Sequence, residues 1–244
     1  NRLLEHNYSV FVSVLTYKAS QAYIENQKLH IITGKLNNKD EIINFIKKNK
    51  IKYVVDATHP FAEIISQNLN NACKEINTPL LLFERKSLIN NSNNFFYIDD
   101  LKNIKNVDLK NKNILLAIGS RFLNDTANYY MNCEANVFTR VLPTYEGITK
   151  AFGSCIKNSN IAILEPSKSD QGFLEKKLCH FWKIDYVLCR ESGSYSQKNW
   201  EKIISGSKMK LFLVKRPKLK NYYTCSFNHY QNLINHIIKT NIDV

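Results

Sequence analysis

The chain has 244 residues and a formal net charge of +13, and 44% of its residues are hydrophobic. This composition is ordinary for a globular protein and excludes wholesale disorder. No apolar run reaches the roughly 20 residues that span a bilayer, so we expect a soluble protein without a membrane partner. Six dispersed cysteines with no C-x-x-C pair argue against a disulfide framework or a zinc site and favour a reducing cytosol.

The positive charge leaves two kinds of partner open. One is nucleic acid, and the other is a polyanionic small molecule or a cofactor that carries phosphate groups. The lysines are dispersed and do not form one basic arm, which also fits a surface that uses lysine wherever a polar residue is needed.

In the first part of the chain, short β-branched or aromatic runs alternate with helical patterns. These runs predict strands at residues 8–15, 29–34, 51–55, 79–83 and 95–98. Three helices are predicted: one from Asp40, one over residues 63–73 and one from Asp99. We expect Asp40 to be the N-cap of the first. The polar stretch 87–94 predicts a loop, and the polar stretch 106–113 predicts a domain boundary.

The second part of the chain repeats the alternation of strand, polar turn and helix. Strands are predicted at residues 114–118, 137–141, 161–164, 184–189 and 211–215, and helices begin near Arg121, Thr144, Asp170 and Gln197. Residues 218–227 are predicted to be irregular, and 228–239 to form a terminal helix. Such alternation predicts parallel sheets with helices on both faces, in two α/β halves at 1–110 and 111–244.

Residues 56–62, with the sequence Asp-Ala-Thr-His-Pro-Phe-Ala, form a predicted tight turn between a strand and a helix. Thr58 is predicted to be the N-cap of the helix, and Pro60 suits its first turn. A helix N-terminus at the carboxyl end of a parallel strand is a common place for anion binding. The alternative is an ordinary turn in which His59 hydrogen-bonds only locally.

Other candidate ligand residues also follow predicted strands. Gly119, Ser120 and Arg121 offer close backbone approach, a hydroxyl group and a guanidinium. The alternative is a helix cap by Ser120 beside a solvated Arg121. Arg140 ends an apolar strand and needs an anion or water. The turns 165–167 and 191–193 are weaker candidates of the same kind.

The motif at 56–62 resembles the signature of the precorrin-6A reductase family of cobalamin biosynthesis. Four further stretches, 114–121, 140–144, 189–193 and 214–217, follow in the order that this family shows. The resemblance implies two Rossmann-like halves with mainly parallel sheets and a ligand cleft between them. It also implies a cytoplasmic enzyme that uses NADPH to reduce one carbon–carbon double bond of precorrin-6A, or of its cobalt form, to precorrin-6B.

The resemblance further implies roles for individual residues. The residues expected to bind the cofactor are Thr16, Lys18, Thr58, His59, Pro60 and Phe61. The residues expected to bind either cofactor or substrate are Gly119, Ser120, Arg121, Arg140, Ser192 and Gly193. His59 is the one candidate for a catalytic role, and no metal site is expected. Lys18 is the only cation in the turn 16–20, where a cation would distinguish NADPH from NADH.

The sequence departs from the family pattern in three places. Family members open with a strand and a Gly-Gly-Thr turn that contacts the cofactor, whereas no glycine precedes Gly34 here. We therefore expect that the sequence lacks the start of its first half and, as given, binds NADPH poorly. Lys18 is the nearest substitute for a basic residue near Ser20. Glu165-Pro166-Ser167 stands where many members have a Gly-Pro turn, which weakens a site there.

Two alternatives to the reductase stay open. One is a non-catalytic, basic α/β protein that binds nucleotide or nucleic acid. The other is a different tetrapyrrole enzyme with two α/β halves, such as a uroporphyrinogen synthase, which needs no nucleotide. The reductase hypothesis expects a tetrapyrrole substrate and no nucleic-acid partner. No G-x-S-x-G, H-E-x-x-H or P-loop pattern supports a hydrolase, a metalloprotease or a P-loop protein.

Overall fold

A computed structural model describes residues 2–34, 36, 38–86, 93–102, 104, 107–166, 169, 171–218 and 222–242. The fold is α/β, and every strand pairing in this part of the chain is parallel, as the sequence predicts. The chain divides into two compact units. Unit 1 contains Asn1–Arg85 and Lys218–Val244, and unit 2 contains Lys86–Pro217.

The regular elements follow one another in the alternating order that the sequence predicts. The strands are β1 (Val10–Val14), β2 (Leu29–Thr33), β3 (Val54–Asp56), β4 (Leu80–Phe83), β5 (Phe95–Ile98), β6 (Asn113–Ala117), β7 (Asn136–Val141), β8 (Ile161–Ile163), β9 (Tyr186–Arg190), β10 (Lys210–Val214) and β11 (Cys225–Phe227). The helices are α1 (Arg2–Glu5), α2 (Tyr17–Ser20), α3 (Lys39–Lys48), α4 (Glu63–Glu75), α5 (Leu123–Asn132), α6 (Tyr145–Phe152), α7 (Phe173–Phe181), α8 (Tyr195–Ser205) and α9 (Tyr230–Ile242). Within the described residues, no helix has both the length and the apolar character needed to cross a membrane.

Unit 1 holds a two-stranded sheet, β1-β2, and a three-stranded sheet in the order β11-β4-β3. Helices α3 and α4 pack together and against β4 through Ile42, Ile46, Ala72, Cys73 and Leu80. The isoleucines of α3 recur at helical spacing, so they share one face of the helix and bury it. This packing fixes the position of the turn between β3 and α4.

Unit 2 holds one six-stranded sheet in the order β5-β10-β9-β6-β7-β8. Its central strands are apolar and buried, as expected for a parallel sheet that is covered on both faces. Trp200 of α8 and Trp182, at the end of α7, pack into the core of this unit. Because all six strands run in the same direction, their carboxyl ends meet at one edge of the sheet.

The division into units differs from the predicted boundary between residues 110 and 111. Strand β5 pairs with β10 and therefore belongs to unit 2, although it precedes the predicted boundary. After Pro217 the chain returns to unit 1, where β11 pairs with β4. Both pairings join residues far apart in the sequence, which local composition does not reveal.

Three local predictions were wrong. No helix starts at Asp99 in the described part of residues 99–112, where Asp100 Oδ1 instead accepts a hydrogen bond from the Lys102 amide at 2.8 Å. The N-cap of α3 is Asn38, not Asp40, because the Asn38 side chain accepts from the Glu41 amide at 2.9 Å. Strand β11 lies inside the stretch 218–227 that was expected to be irregular.

Several predicted features lie outside the described residues. They are most of the loop at 87–94, Asn106 at the start of the predicted boundary, Ser167 of the turn 165–167, and Asp170, near which a helix was expected. The corresponding helix, α7, begins at Phe173.

Candidate functional site

The turn after β3 is built around the carboxylate of Asp56, which is only 1% exposed. Its Oδ1 accepts hydrogen bonds from the Thr58 amide at 3.0 Å and the Thr58 hydroxyl at 2.7 Å. Its Oδ2 accepts from the hydroxyls of Ser66 at 2.7 Å and Tyr223 at 3.0 Å. A buried carboxylate needs such partners, and four of them fill its acceptor positions. Asp56 thus joins the turn to α4 and to the segment before β11.

The prediction that Thr58 caps the following helix was wrong. Helix α4 begins at Glu63, and Ala62 occupies the N-cap position without a side-chain hydrogen bond. The Thr58 hydroxyl donates to Asp56 and therefore serves the turn instead of the helix end. Pro60 likewise lies in the turn, before the first residue of α4.

His59, Pro60 and Phe61 are half-buried in this turn. His59 Nδ1 accepts a hydrogen bond from the Phe61 amide at 3.3 Å, and the two rings lie 5.8 Å apart. The His59 carbonyl accepts from the Ala62 amide at 2.7 Å. Because Nδ1 is an acceptor, the neutral imidazole carries its proton on Nε2. The turn therefore orients the ring, and a role in catalysis or ligand binding stays a prediction.

The turn after β1 contains the candidates Thr16 and Lys18. Thr16 is the N-cap of the short helix α2, and its hydroxyl accepts from the Ala19 amide at 3.2 Å. The Ser20 hydroxyl donates to the Tyr17 carbonyl at 2.7 Å. Lys18 is exposed on this helix. Both hydroxyls of the turn thus have local structural roles, and cofactor binding by Thr16 and Lys18 stays a prediction.

In unit 2, the order of the strands reverses between β6 and β9. From β6 the chain continues to β7 and β8 on one side, whereas β9 and β10 lie on the other side. Open α/β sheets bind ligands beyond the carboxyl ends of the strands at such a switch point. Gly119, Ser120 and Arg121 follow β6 at this point, and Arg190 ends β9 beside them.

Gly119 has a backbone φ of +82°, a region that favours glycine. Ser120 does not cap α5, because Phe122 is the N-cap residue and makes no side-chain cap. Arg121 is exposed and lies over the Phe122 ring, with 5.2 Å from Cζ to the ring centroid. Burial is the largest influence on the pKa of Arg190 and lowers it; Cys189 raises this pKa, and the positive charge of Arg121 lowers it. Arg190 was not among the predicted site residues, although its place at the end of a predicted strand was visible in the sequence.

Arg140 is the penultimate residue of β7 and is buried, with 7% of its surface exposed. Its Nη2 lies 3.4 Å from Glu175 Oε1 on α7 and 3.3 Å from the Ser196 hydroxyl on α8. Burial lowers the pKa of Arg140, while the charge of Glu175 raises it. The anion that this arginine meets is thus a carboxylate of the protein itself, and ligand binding by Arg140 stays a prediction.

Ser192 and Gly193 lie in the turn between β9 and α8. The Gly193 amide donates to Gln197 Oε1 at 2.7 Å, and Gln197 Nε2 donates to Glu201 Oε1 at 2.6 Å. The hydroxyls of Ser192 and Ser194 lie 2.6 Å apart. Burial raises the pKa of Glu201, and the Gln197 hydrogen bond partly offsets this. Gln197 and Glu201 hold the turn, and the sequence offered no signal for them beyond their position on α8.

The fold and the residues at its strand ends define an α/β protein with cationic groups at the carboxyl edge of a parallel sheet. Among the described residues, no group of three or more His, Cys, Asp or Glu side chains could hold a metal ion. The model of the family described as "Precorrin-6x reductase CbiJ/CobK" matches residues 1–237. The chain therefore belongs to the precorrin-6x reductase family, which makes it an oxidoreductase of cobalamin biosynthesis.

Individual relatives agree with this family. The chain is 30% identical to the cobalt-precorrin-6A reductase of Synechocystis sp. over 196 residues, which are 79% of this chain and 73% of the relative. It is 28% identical to the cobalt-precorrin-6A reductase of Methanocaldococcus jannaschii over 215 residues, 87% and 82% of the two chains. A solved structure named CobK precorrin-6A reductase matches 98% of this chain and 91% of its own with a TM-score of 0.75. At 18% identity, this structure shows the shared fold alone.

Proposed function

We propose that the enzyme reduces one carbon–carbon double bond of cobalt-precorrin-6A or precorrin-6A and forms the corresponding precorrin-6B, with NADPH as the hydride donor. The family match over residues 1–237 carries this proposal. Two relatives that match 79% and 87% of this chain are named cobalt-precorrin-6A reductase. Family membership favours this function over a non-catalytic nucleotide-binding protein and over a uroporphyrinogen synthase.

The chemistry of the proposed ligands agrees with the charge of the protein. The macrocycle bears acetate and propionate arms, and NADPH carries three phosphate groups. Guanidinium groups bind both kinds of oxyanion through paired N–H···O hydrogen bonds. The net charge of +13 and the arginines at the edge of the unit 2 sheet supply suitable cations. Binding of small polyanionic ligands therefore accounts for the positive charge of the protein without a nucleic-acid partner.

NADPH, when bound, supplies a hydride to one carbon of the double bond, and a proton on the other carbon completes the reduction. Several features of the chain suit such a cofactor. Gly119 has a positive φ and no side chain, so the Arg190 guanidinium lies close to the backbone of its turn, where it can contact an oxyanion. Lys18 stands after β1, where a cation can contact the phosphate on the adenine ribose.

The protein's own part in this reaction is to bind, orient and exclude water. We assign cofactor binding to Thr16, Lys18 and the turn 58–61, which the buried carboxylate of Asp56 holds in shape. We assign cofactor or substrate binding to the turn 119–121, to Arg140 and to Ser192 and Gly193. The described cysteines are free thiols, which supports our assignment to the cytoplasm.

The assay for this function mixes the enzyme with NADPH and either cobalt-precorrin-6A or precorrin-6A. We expect the nicotinamide absorbance to fall in step with the change in the corrin spectrum, one cofactor for each ring. The cobalt-precorrin-6A reductase of Synechocystis serves as the positive control. If that control reacts and this enzyme oxidises no NADPH with either ring, the proposed function is wrong.

A further inference from the structure

Two arginines, one at the end of a strand and one in the turn after the neighbouring strand, lie at the switch point of the unit 2 sheet. Strands β6 and β9 pair in register, with Ala117 opposite Cys189. Arg190 is the last residue of β9, and Arg121 lies in the turn that follows β6. They are close enough for the charge of Arg121 to disfavour the charged form of Arg190. Like charges held together in this way form a place where an anion is stabilised.

Gly119 lets the Arg190 guanidinium lie against the turn that follows β6. A Cβ atom at position 119 would lie 3.1 Å from Arg190 Nη2. Apart from atoms of the neighbouring residues, no other described atom would lie within 4 Å of it. Such a distance is tighter than ordinary van der Waals contact, so with a side chain there the guanidinium would have to shift by a few tenths of an ångström. The absence of a side chain at residue 119 therefore permits the Arg190 guanidinium to lie beside the backbone of the turn.

Two other arginines near the same edge have different surroundings. Arg140 is buried against Glu175. The Arg216 amide donates to Glu191 Oε2 at 3.2 Å, and its Nε donates to the Glu191 carbonyl at 3.0 Å. Both of these guanidiniums contact groups of the protein that hold them in place. The Arg190 guanidinium lies against the turn after β6. Burial lowers its pKa, Cys189 raises it, and the positive charge of Arg121, in that same turn, lowers it.

We propose that Arg190 and Arg121 together bind one oxyanion of the enzyme's ligands at the switch point between β6 and β9. This inference rests on the proposed function, which offers two sources for the group: a carboxylate arm of the macrocycle and a phosphate of NADPH. Both present oxygen atoms that accept the paired hydrogen bonds of a guanidinium. An anion here also relieves the repulsion between the two arginines.

The first test replaces each arginine with lysine, giving Arg190→Lys and Arg121→Lys. Lysine keeps the charge but loses the planar, two-pronged contact. We expect the KM for one ligand to rise about tenfold or more, with kcat and the thermal midpoint nearly unchanged. A rise in the KM for NADPH identifies a phosphate, and a rise in the KM for the corrin identifies a carboxylate. Arg2→Lys, on the exposed helix α1, is the control and should change neither constant.

A binding measurement without turnover accompanies the kinetics. NADP⁺ is titrated by calorimetry, and the reduced corrin is titrated by its absorbance, with wild type and each variant. We expect the same ligand that shows the raised KM to bind about tenfold or more weakly. Because this readout needs no chemistry, it separates a binding role from a general loss of activity.

Gly119→Ala tests whether the missing side chain at residue 119 allows the Arg190 guanidinium to lie where the ligand needs it. We expect it to weaken the same ligand as Arg190→Lys and to have little further effect on that ligand's affinity in the Arg190→Lys background. If both lysine variants leave the two KM values and the two binding constants unchanged while wild type turns over, the oxyanion site is refuted and the proposed function stands. If wild type binds these ligands but reduces no corrin, the proposed function fails, and the binding constants still decide the oxyanion site.

Discussion

Replacing Tyr223 with phenylalanine tests whether the Asp56 carboxylate is the structural centre of the turn after β3. The Tyr223 hydroxyl donates to Asp56 Oδ2 at 3.0 Å, and burial raises the pKa of Tyr223 to about 12. The phenol is therefore protonated and able to donate throughout the neutral range. Since Asp56 is 1% exposed, water cannot easily replace the lost donor.

The magnitude follows from the charge on the acceptor. A hydrogen bond to a charged group contributes about 1.5–3 kcal/mol to stability, so we expect Tyr223→Phe to lower the free energy of unfolding by that amount. Its neighbour provides the control, because the Tyr222 hydroxyl donates to the neutral Gln67 Oε1 at 2.5 Å. For Tyr222→Phe we expect a loss of only about 0.5–1.5 kcal/mol.

Urea denaturation of wild type and the two variants, followed by circular dichroism, measures both losses. If the two units unfold in separate steps, the comparison uses the transition of unit 1, because one free energy is defined only for a two-state step. Equal losses for Tyr223→Phe and Tyr222→Phe, or a loss below about 0.5 kcal/mol for Tyr223→Phe, would refute the central place of the carboxylate.

Three further changes test individual side chains. His59→Ala should spare stability, because the imidazole accepts its 3.3 Å hydrogen bond from Phe61 in the same turn, and it should reduce kcat. Full turnover by this variant would remove the functional role of His59. Lys18→Glu should raise the KM for NADPH about tenfold more than the KM for NADH, because one charge-assisted contact contributes about 1.5–3 kcal/mol. An unchanged ratio of the two KM values would mean that Lys18 has no part in the choice of cofactor. Glu175→Gln should destabilise the protein by about 3–5 kcal/mol, because it leaves the Arg140 guanidinium buried without its carboxylate. The double variant Arg140→Met with Glu175→Gln should lose less stability. Denaturation midpoints that show no such rescue would contradict a buried ion pair.

The sequence predicted most strands and helices because their signals are local. The apolar runs that became β6, β9 and β10 needed no knowledge of their partners. The pairing of β5 with β10 and of β11 with β4 joins distant segments, so the predicted boundary at residue 110 differs from the observed units. Strand β11 has only three residues, and its extended form depends on β4 beside it.

For the candidate site, too, the sequence predicted the local features but not the contacts between distant residues. The position of Gly119 and Arg121 after a strand followed from composition and order. The partners of Asp56 and of Arg140 did not, because Tyr223 and Glu175 lie far away in the sequence. The Thr58 prediction failed for a different, local reason: the Thr58 hydroxyl donates to Asp56, two residues before it, and α4 begins only at Glu63.

The most direct test of the central claim follows a labelled hydride. The enzyme reacts with NADPH that carries deuterium at the transferred position of the nicotinamide, in the presence of cobalt-precorrin-6A or precorrin-6A. We predict that mass spectrometry finds one deuterium in the reduced ring, bound to carbon. A reduced ring that contains no deuterium, or a ring that stays oxidised while a related reductase converts it, would contradict the account.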